Sequence, residues 1–285
     1  MKHHEGTFDG IRGATIRYQY WLPENKPKAL LLIVHGLAEH GGRYLNLINY
    51  FVPRGYAVYS FDHIGHGESS GRRVYVKRFN DFTSVLGMYI GMIRSWYPRS
   101  PLFLIGHSLG ALISAVYILS DTQCSGAVLS GPLVSVPDNI SSSTVLLSRV
   151  LSTLVPTVGI ASLDPTAISR SQAVVRAYTG DPLVHCGKTT ARLGSEILGA
   201  IRRVAREAPM IQLPLLVLQG GADRLVSPQG TERFFSLLGS PDKTLRVYEG
   251  LYHEIYNEPE FKEVLADVEP WLSERLSLAH ADRSS

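Results

Sequence analysis

The chain has 285 residues, of which 45% are hydrophobic and 19% charged, with a net charge of +3; this composition excludes a disordered chain and indicates a substantial core. The length suits one large α/β domain, or a domain that carries a sizeable insertion. The basic residues form no block, so nucleic acid is not an expected partner. Cys124 and Cys186 lie far apart without metal-ligand spacing and predict neither a disulfide framework nor a metal site.

The N-terminal stretch "MKHHEGTFDG" is polar and lacks the apolar run of a secretory signal, so we expect His3 and His4 to lie in a solvated tail. The longest apolar run, residues 29–34, is far shorter than the ~20 residues that cross a bilayer. We therefore expect a soluble, cytoplasmic protein that can associate peripherally with membranes. The sequence leaves the oligomeric state open.

Seven short runs rich in aliphatic and aromatic residues predict strands, at residues 15–22, 29–36, 56–62, 101–108, 126–131, 214–223 and 244–250. Most are apolar on both faces and are separated by helix-length segments, which indicates a mostly parallel sheet covered on both sides. The first run alternates as "IRYQY" and predicts an antiparallel edge strand. Apolar spacings of three and four predict helices over residues 44–52, 79–96, 109–119 and 261–276, the second capped by Asn80 or Asp81.

Residues 133–209 interrupt the alternation of strands and helices. They carry helical patterns such as "RLGSEILGAIRRVAREAP", with no convincing strand between them. We expect this segment to form a helical cap over the carboxyl edge of the sheet, where open α/β sheets bind ligands. Residues 1–132 and 210–285 would then form the two parts of one core domain.

The stretch "FLIGHSLGAL" places Ser108 between Gly106 and Gly110, after a buried strand and before a helix. This is the context of a nucleophile elbow, in which a strained turn raises the serine hydroxyl above the sheet. Glycine is needed on both sides because a larger side chain would collide with the neighbouring strand or helix. The alternative is a structural serine in a tight turn.

A serine hydroxyl needs a histidine base, itself oriented by a carboxylate. In folds with this elbow the partners follow in the order serine, acid, histidine. Asp223 ends a predicted strand in "LLVLQGGAD", and His253 follows the next strand in "YEGLYHEIYNEP". We predict that Asp223 binds Nδ1–H of His253, so that Nε2 takes the proton from Ser108.

The chain has 10 histidines, so His253 has several rivals for the role of base. His107 lies within the elbow, where we expect its side chain to point away from that of the serine and to pack in the core. The remaining rivals are predicted to support loops or line the mouth of the cap: His35, His63, His66 and His185. Two rival acids, Asp62 and Asp181, are predicted to brace a glycine-rich loop and the cap, respectively.

Acyl transfer also needs hydrogen-bond donors where negative charge develops on the carbonyl oxygen. The backbone N–H of Leu109, the residue after the nucleophile, is one expected donor. The loop "HGLAEHGGRY" after an earlier strand offers the other, from the N–H of Leu37.

The motifs "HGLAEHGGRY", "DHIGHGESSG", "GHSLG", "GGADRL" and "YEGLYHE" occur in an order and spacing that resemble the monoacylglycerol lipases of the α/β-hydrolase fold, especially the bacterial ones. The resemblance covers nearly the whole chain. It implies Ser108, Asp223 and His253 as the triad, with the amides of Leu37 and Leu109 as the oxyanion hole.

The resemblance also implies that Glu39 and Arg43 support the oxyanion loop through an ion pair, which at a surface would contribute ~0–1 kcal/mol. Two bulky residues, Leu37 and Leu109, stand where family members often have other residues, and their bulk could narrow the acyl entrance. An apolar stripe runs from Val145 to Val155 in the cap and predicts either packing against the domain or a surface for acyl chains and lipid. Candidate substrate contacts are Glu39, Arg43, Val145, Leu146, Tyr178 and Leu225.

The leading interpretation is a serine hydrolase that cleaves monoacylglycerols to glycerol and a fatty acid through an acyl-enzyme, with no metal or organic cofactor. Its substrate would be a small lipid ester, and the cap could contact a membrane or micelle surface transiently. A broader carboxylesterase or lysophospholipase with the same triad is the nearest alternative. A non-hydrolytic ligand-binding scaffold and a cofactor-free haloperoxidase-like enzyme are further alternatives.

Overall fold

A central sheet of eight strands organises the chain in the computed structural model, which describes residues 1–120, 123–135 and 151–281. The strands are β1 (Lys2–Asp9), β2 (Thr15–Leu22), β3 (Ala29–Val34), β4 (Tyr56–Phe61), β5 (Leu102–His107), β6 (Gly126–Ser130), β9 (Leu215–Gly220) and β10 (Lys243–Tyr248). Their order in the sheet is β1-β2-β4-β3-β5-β6-β9-β10, and every neighbouring pair from β4 to β10 is parallel. The seven predicted strands and the mostly parallel sheet are thus confirmed.

The prediction of a tail at the N-terminus is wrong. Residues Lys2–Asp9 form the edge strand β1. This strand pairs antiparallel with β2 along its whole length, from Lys2 opposite Leu22 to Asp9 opposite Thr15. The rings of His3 and His4 stack on those of Trp21 and Tyr20, each with centroids 4.8 Å apart. As a result β2 is antiparallel, as predicted, but it is not the edge of the sheet.

Seven helices are resolved over their full length within the described residues. They are α1 (Leu45–Phe51), α2 (Asn80–Trp96), α3 (Leu109–Ile118), α4 (Gln172–Gly180), α5 (Ala191–Glu207), α6 (Pro228–Leu237) and α7 (Phe261–Ala281). The predicted cap of α2 is wrong: Phe79 occupies the N-cap position without a side-chain hydrogen bond. Asp81 instead accepts the backbone N–H groups of Lys77 and Arg78 in the turn before the helix, each at 3.1 Å.

Two hydrophobic clusters cover the two faces of the sheet. Alternate residues of the buried strand β3 enter different clusters, with Leu30 and Leu32 on one face and Leu31 and Ile33 on the other. Helices α2, α3 and α5 pack on the first face, and α1 and α7 pack on the second. This arrangement leaves the carboxyl ends of the parallel strands free to carry functional loops.

Residues 151–209 contain α4, α5 and a short antiparallel ribbon of β7 (Gly159–Ala161) and β8 (Thr189–Thr190), so the expectation of a segment without strands is wrong. The segment meets the loops that follow the core strands. Ile168 O accepts the N–H of Glu254 at 2.8 Å, and Thr190 Oγ1 donates to Val74 O at 2.7 Å. Among the described helices, none combines the length and apolar character that crossing a bilayer requires.

Candidate active site

Ser108 stands in a strained turn between β5 and α3. Its backbone has φ 53° and ψ −115°, a conformation that side-chain-bearing residues rarely adopt. A Cβ on Gly110 would lie 1.8 Å from the carbonyl oxygen of Val34, and one on Gly106 would lie 2.8 Å from Gly110 O. The two glycines therefore let the chain reverse against β3 while presenting Ser108 at the end of the sheet.

Asp223 and His253 meet in the loops that follow β9 and β10. His253 Nδ1 lies 2.7 Å from Asp223 Oδ2, and since a carboxylate only accepts, Nδ1 carries the hydrogen and Nε2 presents a lone pair. Asp223 is fixed in turn by three further donors, namely the N–H groups of Leu225 and Val226 and the side-chain amide of Gln219. Both side chains are almost fully buried, so the imidazole is held in one orientation.

The turn after β6 brings the three loops together. The N–H of Ser108 donates to Ser130 O at 2.9 Å, which joins the elbow to the end of β6. The next residue, Gly131, has φ 48°, and a Cβ there would lie 3.0 Å from both Nδ1 and Cε1 of His253. Only glycine lets the turn after β6 pass directly against the imidazole.

The electrostatic surroundings of His253 favour its protonated form. Burial acts to lower its pKa, but the charge and hydrogen bond of Asp223, together with the nearby Glu254 and Glu39, outweigh burial and raise the pKa. Burial likewise opposes the charge of Asp223, yet His253 and the two backbone donors lower the pKa of this carboxyl. Ser108 Oγ and His253 Nε2 do not form a hydrogen bond in this structure; in enzymes without substrate such contacts are often long and tighten in the complex.

The two predicted oxyanion donors lie at the same edge. Leu109 is the first residue of α3, so its N–H has no partner within the helix. Leu37 follows His35 and Gly36 in the loop after β3, and Gly36 packs against the elbow: a Cβ there would lie 3.4 Å from that of Ser108. Within the described part of the chain, neither N–H is bound to an acceptor.

Glu39 and Arg43 form the ion pair that the resemblance implies, and the pair is buried rather than at the surface. Arg43 donates to Glu39 Oε2 at 2.7 Å, and Glu39 Oε1 accepts from Gly36 N and Tyr44 Oη, each at 2.6 Å. Burial opposes both charges, but the opposed charges lower the pKa of Glu39 and raise that of Arg43. This pair holds the loop that carries Leu37.

Sequence reasoning missed Glu254. Its carboxylate accepts two hydrogen bonds from Arg43, at 2.6 and 2.8 Å, and all three side chains of the Glu39–Arg43–Glu254 network are at most 9% exposed. The available signal was its position directly after His253 in "YHEIYNEP". Arg43 thus links the loop that carries Leu37 to the loop that carries His253.

The rival histidines occupy structural positions. His107 is buried with Nδ1 3.2 Å from Ser130 Oγ, but the centre of its ring also lies 4.6 Å from that of the His253 ring.

The other three histidines support loops. The rings of His35 and His63 each form a hydrogen bond to the backbone of the other residue, and His66 contacts Ile64 O. Burial lowers the pKa of His63 to about 3 and those of His66 and His107 to about 4, so they are neutral at physiological pH.

The rival acids are also engaged away from the serine. Asp62 accepts the N–H groups of Gly41 and Glu68, at 2.9 and 2.8 Å, and braces the glycine-rich loop as predicted. Asp181 follows α4, where its carboxylate accepts from Leu183 N and contacts His40 Nε2 at 2.9 Å. His185, predicted at the mouth of the cap, donates its backbone N–H to Ala38 O at 2.8 Å.

The candidate substrate contacts fall in three places. Tyr178 of α4 is buried beneath the guanidinium of Arg43, 4.6 Å from the ring centroid. The side chain of Leu225 packs on a cluster of Ile168, Val175, Tyr178 and Val184. Val145 and Leu146 lie outside the described residues, whereas Leu154 and Val155, at the end of the predicted stripe, are 74% and 46% exposed.

No group of three or more histidine, cysteine or acidic side chains with metal-binding geometry occurs in the described part of the chain. At the carboxyl edge of the sheet, the described residues bring together a strained serine, an oriented imidazole and unpaired backbone N–H groups. This combination of fold and site defines the class of α/β-hydrolases.

Comparisons with known proteins place the chain more narrowly. Residues 25–260 match the family model described as serine aminopeptidase, S33. The chain is 37% identical over 273 residues to the monoacylglycerol lipase of Mycolicibacterium smegmatis, covering 95% of this chain and 98% of the relative. It is 38% identical over 267 residues to the monoglyceride lipase of Mus musculus, covering 92% of this chain and 88% of the relative.

The fold agrees with this assignment. The crystal structure of Paleococcus ferrophilus monoacylglycerol lipase superposes with a TM-score of 0.81 and 31% identity, covering 96% of this chain and all of that one. The chain belongs to the monoacylglycerol lipase family of α/β-hydrolases, which confirms the resemblance seen in its motifs.

Proposed function

We propose that this protein hydrolyses the ester bond of monoacylglycerols, releasing glycerol and a fatty acid, with Ser108 as nucleophile. The observation that carries the proposal is the buried contact of 2.7 Å between His253 Nδ1 and Asp223 Oδ2, which leaves Nε2 as a base at the edge where Ser108 stands. The names of the relatives favour a monoacylglycerol as the ester.

In the first half of the reaction Ser108 Oγ attacks the carbonyl carbon while His253 Nε2 takes the hydroxyl proton. The oxygen of the tetrahedral intermediate becomes negative and accepts hydrogen bonds from the N–H groups of Leu37 and Leu109. Such a donor typically contributes ~2.7–4 kcal/mol to the stability of the transition state. The intermediate collapses when the imidazolium gives its proton to the departing glycerol oxygen, leaving an acyl group on Ser108.

In the second half water replaces glycerol. His253 takes a proton as the water oxygen attacks the acyl carbon, and returns it to Ser108 Oγ as the fatty acid leaves. Asp223 stays ionised throughout and stabilises the imidazolium. Asp223 accepts four hydrogen bonds, which fix its carboxylate in place. The carboxylate therefore keeps the imidazole oriented and is itself chemically unchanged by the reaction.

Residues 133–209 serve as a cap that selects the acyl chain, with Glu39, Arg43, Tyr178, Leu225, Val145 and Leu146 as contacts to the substrate or supports of those contacts. Exposed apolar side chains of the cap, including Leu154, Val155 and Val158, would rest against a membrane or micelle surface. This contact is supported by the exposure of the three apolar side chains, since a patch of apolar surface in water is unfavourable and often marks an interaction site.

The test compares hydrolysis of monoacylglycerols with that of short aryl esters and lysophospholipids, using wild type and Ser108→Ala. We expect monoacylglycerols to be preferred and Ser108→Ala to abolish turnover and labelling by a fluorophosphonate. Ser114→Ala is the matched control, since its hydroxyl only binds Gly110 O within α3, and it should keep the label. Equal or faster turnover of the aryl esters or lysophospholipids, or labelling of Ser108→Ala, would contradict the proposal.

A further inference from the structure

The loop that carries Leu37 is bound by the cap segment at two points. The backbone N–H of His185 donates to Ala38 O at 2.8 Å. Four residues earlier, Asp181 Oδ2 accepts from His40 Nε2 at 2.9 Å. These contacts lie one residue and three residues after Leu37, so the cap binds this loop on the C-terminal side of the proposed oxyanion donor.

The tautomer of His40 makes the contact directional. His40 Nδ1 accepts the N–H of Gly42 at 3.2 Å, so Nε2 carries the hydrogen and donates it to Asp181. The other oxygen of the carboxylate, Oδ1, accepts the N–H of Leu183 at 2.8 Å and closes the turn that leads to His185. One carboxylate thus shapes the turn of the cap and binds the loop below it.

The loop also needs an external constraint. Ala38 has φ 66°, in the left-handed region that a residue with a Cβ seldom occupies. Strained conformations of this kind persist where surrounding contacts hold them. On the side facing the core, Glu39 Oε1 binds Gly36 N, whereas Ala38 O and the side chain of His40 are bound by the cap.

We propose that Asp181 is a positioning residue, which acts through His40 to hold the Leu37 N–H in the direction that stabilises the oxyanion. The inference rests on the proposed function, because it needs Leu37 to act as an oxyanion donor. It makes the cap a part of the catalytic geometry as well as a cover for the substrate. An effect on the developing charge lowers kcat, whereas a role in holding substrate raises KM.

The main variant is Asp181→Asn, which keeps the size of the side chain but supplies one acceptor for the two donors Leu183 N–H and His40 Nε2–H. We expect kcat for a soluble short-chain monoacylglycerol to fall about 10- to 100-fold with KM changed less than about 3-fold, somewhat less than deletion of an oxyanion donor costs. Asp164→Asn is the matched control: it is an exposed carboxylate of the same segment that binds Thr166, and its kcat should stay at the wild-type value.

A double-mutant cycle with His40→Ala tests whether the two residues act as one unit. We expect the double variant to be no slower than the slower single variant, and His40→Gln, which keeps an N–H donor, to recover most of kcat. The inference is overturned if Asp181→Asn keeps the wild-type kcat, or if this substitution changes KM alone. It is also overturned if the fold-decrease in kcat of the double variant equals the product of the fold-decreases of the two single variants. A wild-type protein that does not cleave esters, or that is not labelled at Ser108 by a fluorophosphonate, would contradict the proposed function instead. Melting curves confirm that each variant is folded.

Discussion

Arg43 donates to both carboxylate oxygens of Glu254, at 2.6 and 2.8 Å, and also to Glu39, so one guanidinium pairs with two buried carboxylates. Arg43→Met would remove the positive charge that pairs with both buried carboxylates. Removing one partner of a buried ion pair typically costs about 3–5 kcal/mol. We expect a decrease of this size in the free energy of unfolding, measured by urea titration.

Arg224→Met is the control for this substitution. Arg224 pairs with Asp164 at 3.6 Å, and both side chains are 51% exposed, so solvent screens the pair. An exposed pair contributes about 0–1 kcal/mol, and the variant should unfold almost as wild type does. Equal effects of the two substitutions would mean that the Arg43 network does not stabilise the fold.

The acid limb of the pH–rate profile reports the protonation of His253. The imidazole must be neutral to accept a proton, and its pKa lies above the ordinary value of about 6.5, so activity should be lost as pH falls through a midpoint above 6.5. Since Glu254 contributes to this increase, Glu254→Gln should move the midpoint of kcat/KM to lower pH. The measurement uses a soluble ester between pH 5 and 9.

Glu232→Gln, at an exposed position on α6, serves as the control and should leave the midpoint in place. A midpoint below 6.5 in wild type would show that burial outweighs the carboxylates around His253. A rate that does not vary with pH would argue against a histidine base.

Backbone strain at Ser108 predicts opposite effects on activity and stability. Because φ is 53° and ψ is −115°, glycine should adopt this conformation at less cost than serine. Ser108→Gly should therefore be inactive but more stable than wild type by about 1 kcal/mol. Ser108→Ala keeps the Cβ and the strain, and it should be inactive with unchanged stability. Thermal melts of the three proteins decide the matter: a glycine variant no more stable than the alanine variant would mean that the turn stores no strain.

The close packing at Gly110 can be tested by comparison with a glycine at which a Cβ would meet no neighbouring atom. Gly110→Ala would place a Cβ 1.8 Å from Val34 O, so α3 must move away from β3, at an expected cost of about 3 kcal/mol or more. A Cβ on Gly91, within α2, meets nothing within 4 Å, so Gly91→Ala should stabilise the protein by about 0.5–1 kcal/mol. Chemical denaturation measures both, and a tolerated Gly110→Ala would contradict the close packing of the elbow.

The features that the sequence predicts well are those with a local signature. Buried parallel strands appear as unbroken apolar runs, and Ser108 is marked by its two glycines between a strand and a helix. Strand β1 has no such signature, since "KHHEGTFD" lacks an apolar face and is stabilised by stacking on Trp21 and Tyr20 of the neighbouring strand. The polar sequence of this stretch therefore predicts a tail.

Buried charges are equally hard to predict, because charged residues are mostly exposed unless paired. Glu254 is separated from Arg43 by 211 positions, and Asp181 is separated from His40 by 141. No periodicity within one element could connect such pairs. They become visible only when the loops after the parallel strands are brought to one edge of the sheet.

The position of strand β1 also indicates where the protein can be attached to a solid surface. It lies at the far edge of the sheet, four strands from β5, or roughly 19 Å at about 4.8 Å per strand. Ser108, Asp223 and His253 follow β5, β9 and β10, in the other half of the sheet. Anchoring the chain to a bead or sensor surface through its first residue should thus leave the catalytic edge accessible to bulky lipid aggregates.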